Sequence, residues 1–320
     1  MACILVVGGG GFIGSHVCKK LIDEGHEVIS IDIFTTGNKK NIEDIIGKKN
    51  FTSIQEDVCE SSIIKKFSEK KIDEIYHLAS PASVTYITDH PIEAALANSL
   101  GTKNLLELAL IHKSKILFAS SSEAYGDPKE HPQKESYRGN VNPVGVRSGY
   151  DEGKRFGEAL CMAYHREKGI DVKIVRIFNT YGPRSRPNDT RVVPQFAVQA
   201  LSGKDLTVHG DGQQTRSFCY VSDMVEGFIS MMKSAETGPI NLGNPTEYKI
   251  IDVAKKIIDL TGSPSKIAFI DRPPDDPAVR RPDITLANEK LHWSPTVSFD
   301  DGLPMTVKHF REILQRNERV

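Results

Sequence analysis

Tyr150 and Lys154 stand four residues apart in the stretch GYDEGKR, at positions 149–155. Helical spacing puts residues four apart on one face, one turn from each other, so a phenol and an ammonium would sit side by side. A neighbouring positive charge favours phenolate and would lower Tyr150 toward working pH, making it a usable acid or base. The same spacing also arises by chance on exposed helix faces. A third element stands upstream, where SSSEAYG at 120–126 follows the apolar run KILFA. If that run is a strand, Ser121 lies at the carboxyl edge of a sheet, where α/β proteins place their chemistry. Ser121 could then hydrogen-bond a reacting hydroxyl while Tyr150 takes its proton. Serines at strand ends serve equally as caps and turns.

A proton removed from a carbinol needs a hydride acceptor beside it, and the N-terminus offers a place for one. VVGGGGFIGSH carries Gly8, Gly11 and Gly14, with Phe12 and Ile13 among them, between a first apolar strand and a first helix. Such a loop lets backbone approach a pyrophosphate at a helix N-terminus, and a plain tight turn has the same composition. Asp32 closes the next strand at the spacing of a carboxylate that binds the adenosine ribose hydroxyls, so the two together favour a dinucleotide. That carboxylate would repel a 2′-phosphate, which selects NAD over NADP despite Lys39 and Lys40 nearby. Asp57, in EDV, is placed either to accept from an adenine amine or to cap a turn.

The elements that must position these residues follow βαβ punctuation. Strands are expected at 3–7, 27–31, 51–55, 73–78, 115–119 and 172–177, and helices at 12–24, 60–69, 91–112 and 149–168. Continuous apolar strands such as CILVV suit a parallel sheet covered on both faces, a doubly wound α/β (Rossmann) fold. Beyond about residue 178 the rhythm loosens into Pro- and Gly-containing loops between helices near 191–202, 222–234 and 250–261. This predicts a dinucleotide domain over 1–177 with a return segment at about 206–240, and a smaller interleaved substrate-binding lobe over 178–205 and 241–320. Long loops in a compact chain are usually binding elements.

Composition excludes several classes. With 320 residues, 39% hydrophobic and 26% charged, the chain is ordinary globular material. Forty-one basic against forty-two acidic side chains leave no global field for nucleic acid or an anionic membrane. The five cysteines never form CxxC, so no disulfide framework and no metal site is indicated, and a reducing cytoplasm suits them. The apolar run at the N-terminus is six residues long, too short for a signal peptide or a membrane span.

Longer stretches carry a family resemblance: HLASPAS at 77–83, SSSEAYGDPKEHPQ at 120–133, YRGNVNPVGVRSGYDEGKR at 137–155, RIFNTYGPR at 176–184, GDGQQTRSFCYVSD at 210–223 and DDPAVRRPDI at 275–284. The chain resembles the extended short-chain dehydrogenase/reductase family over its entire length, and within it the branch that decarboxylates UDP-linked glucuronate. The resemblance implies tightly held NAD, a transient ketone at sugar C4, loss of the C5 carboxylate, and return of the hydride to C4. A C4 ketone makes the acid a β-keto acid, whose abandoned electron pair has a sink.

The resemblance also implies roles residue by residue. Ser121 and Tyr150 would handle the C4 hydroxyl, and Lys154 the phenol and the nicotinamide ribose. Glu123 and Arg280 would form the decarboxylation pair, with Arg280 on the substrate carboxylate and Glu123 as a like charge beside it; spacing alone would instead pair Arg280 with Asp275 or Asp276. Val58, Leu78 and Ala79 would join the glycines, Phe12, Ile13, Asp32 and Asp57 against the cofactor. Asn179, Arg191 and Arg216 would hold the sugar and UDP diphosphate. Dehydratases of this family carry Asp-Glu where this chain has Ser122 and Glu123, and 4-epimerases lack an acid at Glu123, so epimerisation or idle nucleotide-sugar binding is the alternative. Val7, Ile33, Asn38 and the pair Tyr86 and Ile87 depart from the family's usual residues. A homodimer through the helices at 91–112 and 149–168 is expected.

Overall fold

In the computed structural model, which describes residues 1–272 and 279–317, the first half builds a sheet in strict alternation. β1 (Cys3–Val7), β2 (Glu27–Asp32), β3 (Phe51–Gln55), β4 (Glu74–His77), β5 (Lys115–Ser121) and β6 (Val172–Ile177) are separated by α1 (Phe12–Asp23), α2 (Ser62–Phe67), α3 (Val84–Asp89), α4 (Pro91–Leu96), α5 (Thr102–His112) and α6 (Ser148–Lys168). A π-turn at Ala97–Gly101 joins α4 to α5, so the single helix expected over 91–112 is two helices around a local unwinding. Every pairing in the large sheet is parallel. Side chains alternate faces along a strand, and β1 shows both faces covered: Ile4 and Val6 enter one apolar cluster, Leu5 and Val7 the other.

The second half contributes β7 (Thr180–Tyr181), α7 (Val192–Leu201), β8 (Leu206–His209), β9 (Thr215–Ser217), β10 (Cys219–Tyr220), α8 (Val221–Lys233), β11 (Ile240–Leu242), β12 (Glu247–Lys249), α9 (Ile250–Thr261), β13 (Ile267–Ile270), α10 (Thr285–Leu291) and α11 (Phe299–Asn317). The seven-stranded order is β11-β6-β5-β4-β1-β2-β3. Residues 206–209 pair with β13 outside the large sheet, and 240–242 extend the large sheet beside β6. Short strands without a helical period between them give no sign of which sheet they join. Phe196, Phe218, Phe299 and Phe310 belong to a third apolar cluster, separate from the two that include the residues of β1.

The order reverses between β1, which runs on to β2 and β3, and β4, which runs on to β5 and β6. Loops leaving the carboxyl ends of β1 and β4 turn to opposite sides there and open a crevice, the usual ligand position in such sheets.

Candidate active site

A cavity of about 920 Å³ fills that crevice and continues along α7, β8 and β9. All the residues singled out above for catalysis, cofactor and substrate line it. Its two ends differ in chemistry.

At the β1 end the loop is shaped by what its glycines lack. Gly8 has φ +87°, and a Cβ there would lie 2.8 Å from the Ala79 nitrogen. A Cβ on Gly14 would lie 2.1 Å from the Gly8 carbonyl oxygen, so only glycine lets α1 pack this closely on its own loop. Gly11 caps α1, and no acidic side chain stands in the first turn. A bare backbone cradle at the start of a 12-residue helix fits a pyrophosphate. Asp32 faces the cradle with its oxygens accepting from the N–H groups of Gly10 at 2.9 Å and Phe34 at 2.7 Å. Burial pushes its carboxyl up, and those two N–H groups pull it back. Asp57 accepts from the Cys59 N–H at 2.8 Å, which is the turn-forming reading of that residue, while still lining the cavity.

At the other end, Ser121 closes β5 and its hydroxyl accepts from the Glu123 N–H at 3.2 Å, turning the chain into a short 3₁₀ segment. Tyr150 lies in the first turn of α6, 6% exposed, and packs on Ile87 and Ala94. Lys154 follows one turn later with Nζ 5.6 Å from the Tyr150 ring centre and donating to the Ala119 carbonyl at 2.7 Å. The pair therefore shares a face as expected, but the expected lowering of the phenol is absent in the protein alone. Burial pushes Tyr150 up to about 12, and the Ser121 hydroxyl opposes this. Burial also lowers Lys154 to about 7. Desolvation disfavours charge on both groups.

Arg280 grips Glu123 with both arms of its guanidinium, Nη1 to Oε1 at 2.5 Å and Nη2 to Oε2 at 2.8 Å. Arg147 reaches the same carboxylate from the start of α6, Nη2 to Oε2 at 2.8 Å. Although burial alone would raise it, the two guanidiniums hold Glu123 down at about 2. Asp151, one residue beyond Tyr150 and 8% exposed, is raised to about 7 by burial and by the Glu123 anion. Two arginines and one fixed carboxylate thus meet beside Ser121 and Tyr150, with the Asp151 carboxyl near enough to feel their charges.

Residues 5–306 match the family model described as GDP-mannose 4,6 dehydratase. UDP-glucuronic acid decarboxylase 1 of Xenopus tropicalis is 48% identical over 98% of this chain and 73% of its own length. UDP-glucuronic acid decarboxylase 5 of Arabidopsis thaliana is 49% identical over 96% of this chain and 89% of its own. The chain belongs to the extended short-chain dehydrogenase/reductase family, in its UDP-glucuronic acid decarboxylase branch. Among solved structures, UDP-glucuronic acid 4-epimerase from Bacillus cereus, in complex with UDP-glucuronic acid and NAD, superposes with a TM-score of 0.87 at 31% identity, over 97% of this chain and 99% of that one. The dTDP-glucose 4,6-dehydratase DesIV from Streptomyces venezuelae, with NAD and TYD bound, gives 0.89 at 27% identity, over 97% of each chain.

Within this branch, the expected pair of Glu123 and Arg280 is in contact, and one expectation about it changes. Asp275 and Asp276, the rim acids that spacing alone would pair with Arg280, lie outside the described residues. Glu123, gripped by two guanidiniums, is not a naked like charge beside a bound acid, since its field is compensated on the spot. Asn179, Arg191 and Arg216 line the cavity, with Arg191 locked to Asp189 and Arg216 7% exposed in β9. Sequence reasoning missed Arg147 and Asp151. Both stand in the quoted stretch around Tyr150, but Glu123, which pairs with Arg147 and whose charge acts on Asp151, is 24 residues before Arg147, and no spacing rule links a 3₁₀ turn to a distant helix start.

Proposed function

We propose that the protein holds NAD and UDP-glucuronate in this cavity and releases carbon dioxide to leave UDP-xylose. The observation that carries this reading is the Glu123 carboxylate shared by Arg280 and Arg147 beside Ser121 and Tyr150. One arginine suffices to neutralise Glu123, so the second leaves positive charge for another carboxylate whenever Asp151 is protonated. Its Nε is buried and without a partner among the described residues.

The glycine cradle, Asp32, Asp57, Val58, Leu78 and Ala79 would hold the dinucleotide, with Tyr150 and Lys154 at its reacting end. NAD bound there supplies an acceptor, and later a donor, of the hydride at sugar C4. Ser121 and Tyr150 orient the C4 hydroxyl and hold its proton while C4 is a ketone. Arg147 and Arg280 orient the C5 carboxylate; when its bond to C5 breaks, the electron pair moves toward the C4 oxygen, beside the Tyr150 hydroxyl. A proton then returns to C5, and the balance is one proton consumed for each carbon dioxide released. Asn179, Arg191 and Arg216 suit the sugar and diphosphate, since guanidinium forks match phosphate oxygens.

We also place the protein as a cytoplasmic homodimer. No helix among the described residues is long and apolar enough to cross a membrane. All five cysteines are free. Ile92, Leu96, Leu100 and Phe156 expose 73%, 43%, 39% and 52% on the adjoining α4–α5 and α6 surface, an apolar row that a second copy would cover.

Incubation of the NAD-loaded protein with UDP-glucuronate labelled at the carboxylate tests the reaction. Labelled carbon dioxide and UDP-xylose are expected, with Tyr150→Phe slower by ~10²–10⁴-fold. UDP-galacturonate without gas would make the enzyme a 4-epimerase, and binding without turnover would make it an idle nucleotide-sugar protein.

A further inference from the structure

Arg280 does not belong to any helix or long strand, yet its guanidinium meets Glu123 with two well-formed bonds. Residues 281–283 are fastened instead mainly to Gln133, in the loop between the 3₁₀ turn after β5 and the start of α6. The Gln133 N–H donates to the Arg281 carbonyl at 2.9 Å, and the Asp283 N–H donates to the Gln133 carbonyl at 2.9 Å. The Gln133 side chain adds a third bond, its Oε1 accepting from the Arg281 N–H at 2.8 Å. Its Nε2 is held in turn by the Glu130 carbonyl at 2.7 Å, which fixes the amide's orientation. Asn241 then bridges both segments, donating to the Gln133 and Asp283 carbonyls at 3.0 and 3.1 Å. Gln133 is fully buried and lies outside the cavity wall, so it touches no ligand.

A buried amide whose acceptor and donor are both used, and which meets the main chain one residue from a charged side chain, is a rigid mount. We propose that Gln133 is the positioning residue for Arg280, setting the guanidinium on Glu123 through the main chain of Arg281. Without the Oε1 acceptor, the Arg281 N–H is left unpaired in a half-buried place, and the segment shifts to find another partner. A shift of about 1 Å at a reacting group lowers the rate by ~10²-fold. Only the carbon dioxide step depends on Arg280; proton and hydride removal at C4 depend on Ser121, Tyr150 and Lys154, which sit on β5 and α6 and not on this mount.

The inference rests on the decarboxylase reading, and the experiment separates the two. Gln133→Met keeps volume and both main-chain bonds while removing the amide; Gln133→Ala is the second variant. NAD-loaded protein is mixed with UDP-glucuronate, following NADH at 340 nm and labelled carbon dioxide in parallel. Both variants are expected to form NADH within about twofold of the parent and to release gas ~10–100-fold more slowly, so that NADH accumulates. Equal losses in the two signals, the signature of mere unfolding, would overturn the proposal, as would unchanged gas release. If the parent releases no gas at all, the decarboxylase reading fails, and the mount is judged by urea unfolding alone. Gln133→Met and Arg280→Met are then expected to be non-additive, and additive effects would refute the coupling.

Discussion

Replacing Glu123 by glutamine leaves two guanidiniums, on Arg280 and Arg147, facing one another without the anion between them. Arg280 is 6% exposed and the Arg147 side chain 12%, so water does little to screen them. The size of the effect follows from the carboxyl itself, held at about 2 against an ordinary 4.5. At about 1.4 kcal/mol per tenfold change in acidity, the folded protein favours the ionised form by about 3 kcal/mol. Because the folded value is the lower one, that stability is fully present above 4.5 and is lost as pH falls through 4.5 toward 2. Glu123→Gln should therefore unfold in urea with up to about 3 kcal/mol less stability at pH 7, within the range for breaking a buried pair, and should lack the parent's acid slope. Asp151 works in the opposite sense. Raised from 3.8 to about 7, it stabilises the fold as pH drops across that interval, so the parent should be most stable between the two arms. Removing Glu123 also removes the anion that raises Asp151, which can then ionise between the arginines and return part of the loss. The double variant Glu123→Gln with Asp151→Asn should show the full penalty. Single and double variants both within 0.5 kcal/mol of the parent at pH 7 would refute the electrostatic account of this cluster.

Gly14→Ala puts a Cβ 2.1 Å from the Gly8 oxygen, against a practical floor of 3.0 Å, so the loop must move by nearly an ångström. The purified variant should bind NAD ~10²-fold more weakly in equilibrium dialysis; parent-like retention would show that the cradle is not the site. Ile92→Glu alters a side chain that is 73% exposed in one protomer. It should leave the urea midpoint almost unchanged while light scattering reports half the parent's mass, and an unchanged mass would move the subunit contact elsewhere.

Much of this protein is legible without coordinates, and the physical reason is locality. Apolar strand runs, helical periods and the glycine loop are short-range patterns, so β1 through β6 and the Tyr150 and Lys154 face could be read from neighbours a few residues apart. That the sheet is parallel followed from the same alternation, because a parallel strand needs a covering crossover. Three things were decided only in the folded molecule. Which sheet β8 and β11 join depends on pairing across distant segments, and strands of three or four residues carry no period to announce it. The acidity of Tyr150 depends on how much water is left around it, and burial reversed the direction that a nearby lysine suggested. The grip of Arg147 and Arg280 on Glu123, and the Gln133 mount behind it, join residues as much as 157 positions apart. Charge type and order along the chain supply the candidates for such a cluster, but only the close approach of β5, α6 and the segment at 280–283 in three dimensions turns them into one site.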